Sequence, residues 1–329
     1  MPETSVETLV QMSMSACLPR CLHIVADLGI ADALGDSPRT ATELATATGT
    51  NVDALHRVLR LLSAHGVFEQ RNGSWAHSEL SRMLRTDHPQ SLRSFVRMIG
   101  FPVFWKAWEA LEHSLRTGGP SVEKVVEGGI WRYLADNPES SRIFDEAMTG
   151  KAHGQIAGIV SSYDFSPFAT IADIGGGRGH LLQAVLAETP NAKGVLFDQP
   201  HVVEQVSNIA SDRLRLQGGD FFKDALPVCD AYTIMQVIHD WSDEESARIL
   251  GAIRRAAPAG AKLLLIEAII PDDSSPSWTK LLDIHMLAWL TGRERTESEF
   301  RQMLRAAGFR LDRTIDIGMK TSILESVAV

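Results

Sequence analysis

The feature that most constrains this chain is a glycine-rich turn, Thr170-Ile-Ala-Asp-Ile-Gly-Gly-Gly-Arg-Gly-His180. Residues 170–174 read as a short buried strand, and a helical pattern begins near His180. Between them the backbone reverses sharply. Glycine allows this because it takes positive φ and lets a ligand approach the main chain. The following helix aims its unpaired N–H groups and positive dipole end at the turn. The stretch is therefore a candidate nucleotide-cofactor loop. A dinucleotide fingerprint needs G-x-G-x-x-G/A. Here the position three after Gly177 is His180, which counts against NAD. Asp173 stands at the strand end. Asp198 closes the next apolar run, Gly194-Val-Leu-Phe197, where a carboxylate is placed to take ribose hydroxyls. Taken alone, such a turn could also be a tight loop without a ligand.

The C-terminal half alternates strand and helix. Strands are predicted at 170–174, 194–197, 214–217, 231–235 and 262–269. Helices are predicted at 180–188, 202–209, 243–256, 280–290 and 297–307, followed by strand-like 310–316 and 321–327. Strands separated by helices imply an α/β fold, a doubly wound parallel sheet with helices on both faces. Upstream, residues 7–33 read as one helix, 40–48 as a short helix ending at Gly49, and 52–65 as a helix capped by Asn51. A hairpin turning at Asn72-Gly73 follows. Two helices and a hairpin make a winged helix. From Pro89 to Gly154 the pattern is helical and rich in aromatics. The expected division is residues 1–88, 89–162 and 163–329.

A net charge of −9 argues against nucleic-acid binding, which needs clustered cations. Arg57, Arg60 and Arg71 are the cations a winged helix could offer, and Glu69 opposes them. No apolar run approaches the roughly 20 residues of a membrane span. The polar start of the chain does not read as a secretory signal. Cys17, Cys21 and Cys229 have no matching His/Cys pair, so buried free thiols in a reducing cytoplasm are expected.

In order along the chain stand Asp-Ile-Gly-Gly-Gly-Arg-Gly (173–179), Phe-Asp-Gln-Pro-His-Val (197–202), Gly-Gly-Asp-Phe-Phe (218–222), Val-Ile-His-Asp-Trp-Ser-Asp (237–243), Leu-Ile-Glu (265–267) and Gly-Arg-Glu-Arg-Thr (292–296). This set resembles the S-adenosylmethionine-dependent O-methyltransferases of the caffeate/hydroxyindole type, which act on small molecules. The resemblance implies a class I methyltransferase sheet with an antiparallel C-terminal edge. It also implies that the winged-helix region forms a homodimer and binds no nucleic acid, and that the helices of 89–162 roof the acceptor pocket.

By the same resemblance, Asp173, Gly175 and Gly177 lie at the cofactor loop and Asp198 holds the ribose. Asp220 and Phe221 take the adenine, and the backbone around Met235 and Gln236 completes the pocket. Relatives from plants carry a lysine where this chain has Met235; Arg178 is a candidate substitute or a solvated loop residue. His239 occupies the general-base position, suited by its near-neutral pKa, with Glu267 and Glu294 flanking it. Asp240 is expected to cap the next helix or brace a loop. Phe144, Met148, Met286 and Trp289 are candidate contacts to an aromatic acceptor. Asp283 and His285 diverge on a helix, no metal site is read, and S-adenosylhomocysteine is the expected product. The expected activity is methyl transfer to a hydroxyl of a small aromatic secondary metabolite. The alternatives are nitrogen or carbon methylation, a non-methylating relative that keeps the cofactor, and a winged-helix regulator with a cofactor-sensing domain.

Overall fold

The computed structural model describes residues 4–329, which form two compact units. One comprises 4–105 and 131–151, the other 106–130 and 152–329. This differs from the expected three-part division, because the helices of 89–162 are shared between the units. The helix Pro138–Ser162 runs from one into the other, since nothing in its sequence stops it at the boundary.

The larger unit is built on strands β1 (Thr170–Ile174), β2 (Lys193–Asp198), β3 (Leu214–Gly218), β4 (Ala231–Met235), β5 (Lys262–Ile270), β6 (Phe309–Asp316) and β7 (Thr321–Ala328). Their order is β3-β2-β1-β4-β5-β7-β6. The first five are parallel, while β7 runs antiparallel to both β5 and β6. Alternation along each strand sorts side chains to two faces. Ala172, Ile174, Leu263 and Leu265 pack with Ile249, Ile253, Phe300 and Leu304, from helices α3 (Asp243–Ala256) and α5 (Glu297–Ala306). Ile171, Leu264 and Ile266 pack on the other side with Leu182 and Val185 of α1 (His180–Glu188) and with Ile156 and Ile159. Helix α2 (Pro200–Gln205) follows β2, and α4 (Trp278–Trp289) follows β5. The strand order reverses between β1 and β4, and the carboxyl ends of adjacent strands there open a crevice.

The smaller unit carries helices 41–48 and 52–64 and a hairpin, 68–71 paired with 74–77. Asn72 and Gly73 both take positive φ, as the two-residue turn demands. The expected single helix over 7–33 is instead three, Ser5–Met14, Cys17–Asp27 and Ile30–Leu34. Gly29, at φ 66°, ends the second, a conformation helix interiors exclude. One other expectation is corrected: Cys17 is exposed rather than buried. In the same unit His77 is buried, its Nδ1 2.9 Å from the Ser81 hydroxyl.

Ser5–Asp27 is by length and composition apolar enough to cross a membrane, but it is two helices, Ser5–Met14 and Cys17–Asp27. Its first helix buries no residue, with Val6, Leu9, Met12 and Met14 all more than 60% exposed.

Candidate active site

The glycine loop is shaped by close backbone packing. Gly175, Gly177 and Gly179 all have positive φ. A Cβ on Gly176 would lie 2.5 Å from both Asp173 Oδ2 and Leu196 Cδ1, and one on Gly175 would lie 2.9 Å from Val237. A Cβ on Gly177 would meet no protein atom within 4 Å, so this is where the loop is open. Asp198, at the tip of β2, accepts hydrogen bonds from the N–H of Gly177 at 2.8 Å and of Gln199 at 2.7 Å. A second strand tip is thereby tied to the loop.

Beneath the loop, Asp173 is fully buried at the β1–β4 switch. The Thr233 hydroxyl donates to its Oδ1 at 2.7 Å, whereas Oδ2 has no partner. Burial raises its pKa to about 7, with the Thr233 bond working against the rise and the Asp198 charge adding to it.

After β3, Asp220 is partly exposed. It accepts from the Phe222 N–H at 2.9 Å and pairs with Lys223 at 2.8 Å; the Lys223 bond holds its pKa below the usual carboxylate range. Phe221 packs edge-to-face on Phe222 and Trp241, centroids 4.8 and 5.8 Å away.

The second half of the site begins where β4 ends. Met235 is half-buried against the core, and Gln236 takes φ 53°, a strained region for a residue with a Cβ. This bend aims the next two amides at one carboxylate. Glu267 Oε1 accepts from Val237 N–H at 3.1 Å and Ile238 N–H at 2.9 Å. His239 follows, in a single 3₁₀ turn, Ile238–Asp240. Ser242 and Glu245 then form a capping box on α3. Of the two roles expected of Asp240, the cap is taken by Ser242 instead; Asp240 Oδ1 lies 3.4 Å from His239 Nε2.

The histidine is buried among carboxylates. Nδ1 lies 2.8 Å from Glu294 Oε1 and 4.0 Å from Glu267 Oε2. Glu267 and Glu294 are both fully buried. The two glutamates thus differ: Glu294 meets the ring, while Glu267 chiefly pins the turn that carries it. Burial disfavours the imidazolium, but the surrounding Glu267, Asp240 and Glu294 outweigh it and raise the His239 pKa to about 9. Burial likewise lifts Glu267 to about 7.

Glu294 is not in a surface ion pair. Its neighbours Arg293 and Arg295 engage Glu299 and Asp243 instead. Its N–H donates to Asp283 Oδ1 at 3.0 Å. Two further contributors escaped sequence reasoning. A Cβ on Gly292 would collide with the main chain of His239 and Asp240, so only glycine fits there. Arg295 is fully buried.

On α4, Met286 and Trp289 are buried. Trp289 and Trp108 flank His285, centroids 4.5 and 4.9 Å from its ring. Burial lowers the His285 pKa to about 4, so the ring is neutral at physiological pH. Phe144 and Met148 belong to the smaller unit, where Phe144 packs edge-to-face on Trp131 at 5.8 Å. Among the described residues no group of three or more His, Cys, Asp or Glu could hold a metal ion.

A glycine cradle at the sheet's switch point, beside a histidine locked between carboxylates, fits a nucleoside cofactor and a proton acceptor. The family model of the O-methyltransferase domain matches residues 108–310. The chain belongs to the O-methyltransferase family. A second family model, the O-methyltransferase dimerisation domain, matches residues 10–87.

The chain is 39% identical to a phenazine O-methyltransferase of Lysobacter antibioticus, over 97% of this chain and 95% of that one. It is 34% identical to an 8-amino-8-demethylriboflavin N,N-dimethyltransferase of Streptomyces davaonensis, over 93% and 90%. Among solved structures, a methyltransferase of calicheamicin biosynthesis with S-adenosylhomocysteine bound is 34% identical, with a TM-score of 0.90 covering 99% and 98% of the two chains. This O-methyltransferase is an S-adenosylmethionine-dependent enzyme of the secondary-metabolite type.

Proposed function

We propose that this O-methyltransferase methylates a hydroxyl of a small aromatic metabolite, with His239 as general base. The observation that carries the reading is the 2.8 Å contact between His239 Nδ1 and Glu294 Oε1, both buried. A carboxylate on Nδ1 holds the proton there and leaves Nε2 to accept one.

The cofactor supplies a sulfonium-bound methyl group and departs as S-adenosylhomocysteine. The chain's part is to bind, align and deprotonate. Gly175 and Gly177 would accommodate the methionine and ribose portion of the cofactor, with Asp173 beneath them. Asp198 would exchange its bond to the Gly177 N–H for ribose hydroxyls. Asp220 would take the adenine amine, Phe221 a ring face, and the backbone at Met235 and Gln236 the remaining wall. The open space at Gly177 and the unpartnered Asp173 Oδ2 support that fit.

As the acceptor oxygen gains its methyl group, its proton passes to His239 Nε2 and then to solvent. Asp240, 3.4 Å from that nitrogen, favours the charged ring, so His239 must first lose a proton. Met286 and Trp289, both on α4, are proposed to contact the acceptor ring. The dimerisation-domain match supports a homodimer formed through the N-terminal region, and the exposed apolar helix Ser5–Met14 is a surface such a partner would cover.

The test is incubation with methyl-labelled cofactor and a panel of phenols, hydroxyquinones and hydroxylated heterocycles, followed by mass spectrometry. Label on oxygen supports the reading. Label found only on nitrogen would favour the second reading, amine methylation, which the likeness to an N,N-dimethyltransferase keeps in view.

A further inference from the structure

Glu294 reaches His239 only if two segments distant in the chain are locked together, the turn 238–241 and the loop 292–295. Arg295 spans the junction. It is 1% exposed. Its Nη1 donates to the carbonyls of Ile238 and Arg293, each at 3.2 Å. Its Nη2 donates to the Trp241 carbonyl at 3.0 Å and to Ser246 Oγ at 3.3 Å. Nε and Nη2 both reach Asp243 Oδ1, at 2.9 and 2.7 Å.

The ion pair alone does not explain this burial. Asp243 is 62% exposed, and an exposed carboxylate in water contributes little. Burying a guanidinium is costly unless its donors are satisfied. Here three of the six contacts go to main-chain carbonyls, those on both sides of His239 and one directly before Glu294. A planar fork with five donors can hold such a set in fixed geometry; a lysine cannot.

We propose that Arg295 is a positioning residue, which clamps the His239 turn to the Glu294 loop and so sets the contact between imidazole and carboxylate. The inference rests on the reading of His239 as the base, but its test does not need activity.

The test uses full-length protein carrying ¹³C-labelled histidine, with the His239 resonance assigned by its loss in His239→Ala. In Arg295→Lys the His239 titration midpoint is expected to fall by about one pH unit or more, as the carboxylate contact loosens. Cofactor affinity should stay within about threefold, and turnover with any acceptor found by the panel should fall at least about tenfold in kcat rather than KM. An unchanged midpoint in a folded, cofactor-binding Arg295→Lys protein would overturn the proposal.

Should that variant not fold, the Asp243→Asn, Ser246→Ala double variant keeps all three carbonyl contacts. Its midpoint is expected to match wild type, and a fall as large as one unit would assign the effect to the ion pair and sink the clamp. Near-normal turnover in His239→Ala would defeat the base reading alone, because the titration readout stands apart from it.

Discussion

The two halves of the site are built by opposite means. The cofactor side is main chain: glycines held in left-handed conformations, strand tips, and a carboxylate, Asp198, bonded to backbone amides. The base side is side chain: one imidazole and two glutamates, none more than 6% exposed, drawn from positions 239, 267 and 294. Most of the residues of the first half lie within a short stretch around β1 and β2. The second half exists only when β4, β5 and the loop before α5 come together. Binding can tolerate a solvated, locally encoded cradle. Proton transfer needs charges out of water, where their mutual fields are strong enough to set a pKa.

The sharpest way to separate the halves is His239→Ala. Turnover is expected to fall by about 10²–10⁴ for an unactivated phenol, with cofactor affinity by calorimetry within a few-fold of wild type. Joint loss of both would mean that the halves are not independent.

Next in size is a pair of glycine variants. Gly176→Ala places a methyl 2.5 Å from Asp173 Oδ2 and Leu196 Cδ1, so thermal stability and cofactor affinity should both drop, affinity by about tenfold or more. Gly177→Ala meets no protein atom and bears only the positive-φ cost of about 1–2 kcal/mol. Its melting temperature should fall less, so any large loss of affinity there reports on the ligand. Equal behaviour of the two variants in both assays would break the picture of a loop packed at 176 and open at 177.

The base side makes a pH prediction. With His239 raised to about 9, kcat/KM should climb from neutral pH through that value as the ring loses its proton. Asp240→Asn removes a charge that stabilises the imidazolium, so the rising limb should move to lower pH by about one unit. A limb that stays in place or moves up would remove Asp240 from the account. The same shift has a sign for stability. The protonated ring contributes fully below its ordinary pKa, and that contribution is lost as pH rises through about 9. Denaturant midpoints measured across that window should decline in wild type and less steeply in His239→Ala.

The smallest effect is expected at Asp220→Asn. This residue is partly exposed and already paired with Lys223, so cofactor affinity should fall by less than about tenfold. A loss beyond a hundredfold would mean that the exposed edge of the cradle matters as much as its buried floor.

Much of this was legible beforehand. Strands at 170–174 and 231–235 and helices at 180–188 and 243–256 have the bounds expected from their patterns. Glycine spacing, capping and apolar alternation are local signals that survive folding. The single helix expected over 7–33 fails at its second break because Gly29 sits within a continuous apolar pattern, where periodicity outweighed one breaker. Pairing partners were harder to read. Nothing in the string 292–296 distinguishes a surface arginine from one buried against the carbonyls of residues 238 and 241, and nothing marks Gln236 for positive φ.

The sequence by itself determined the sheet, the cofactor loop and the identity of the chemical groups, because turn geometry and side-chain period act over a few residues. Only the tertiary structure decided which glutamate meets the histidine, which one holds its turn, and that Asp240 faces Nε2. Those roles depend on distances of 2.8, 4.0 and 3.4 Å between atoms contributed by separate elements. They depend as well on burial, which turns ordinary acids and an ordinary imidazole into one coupled group.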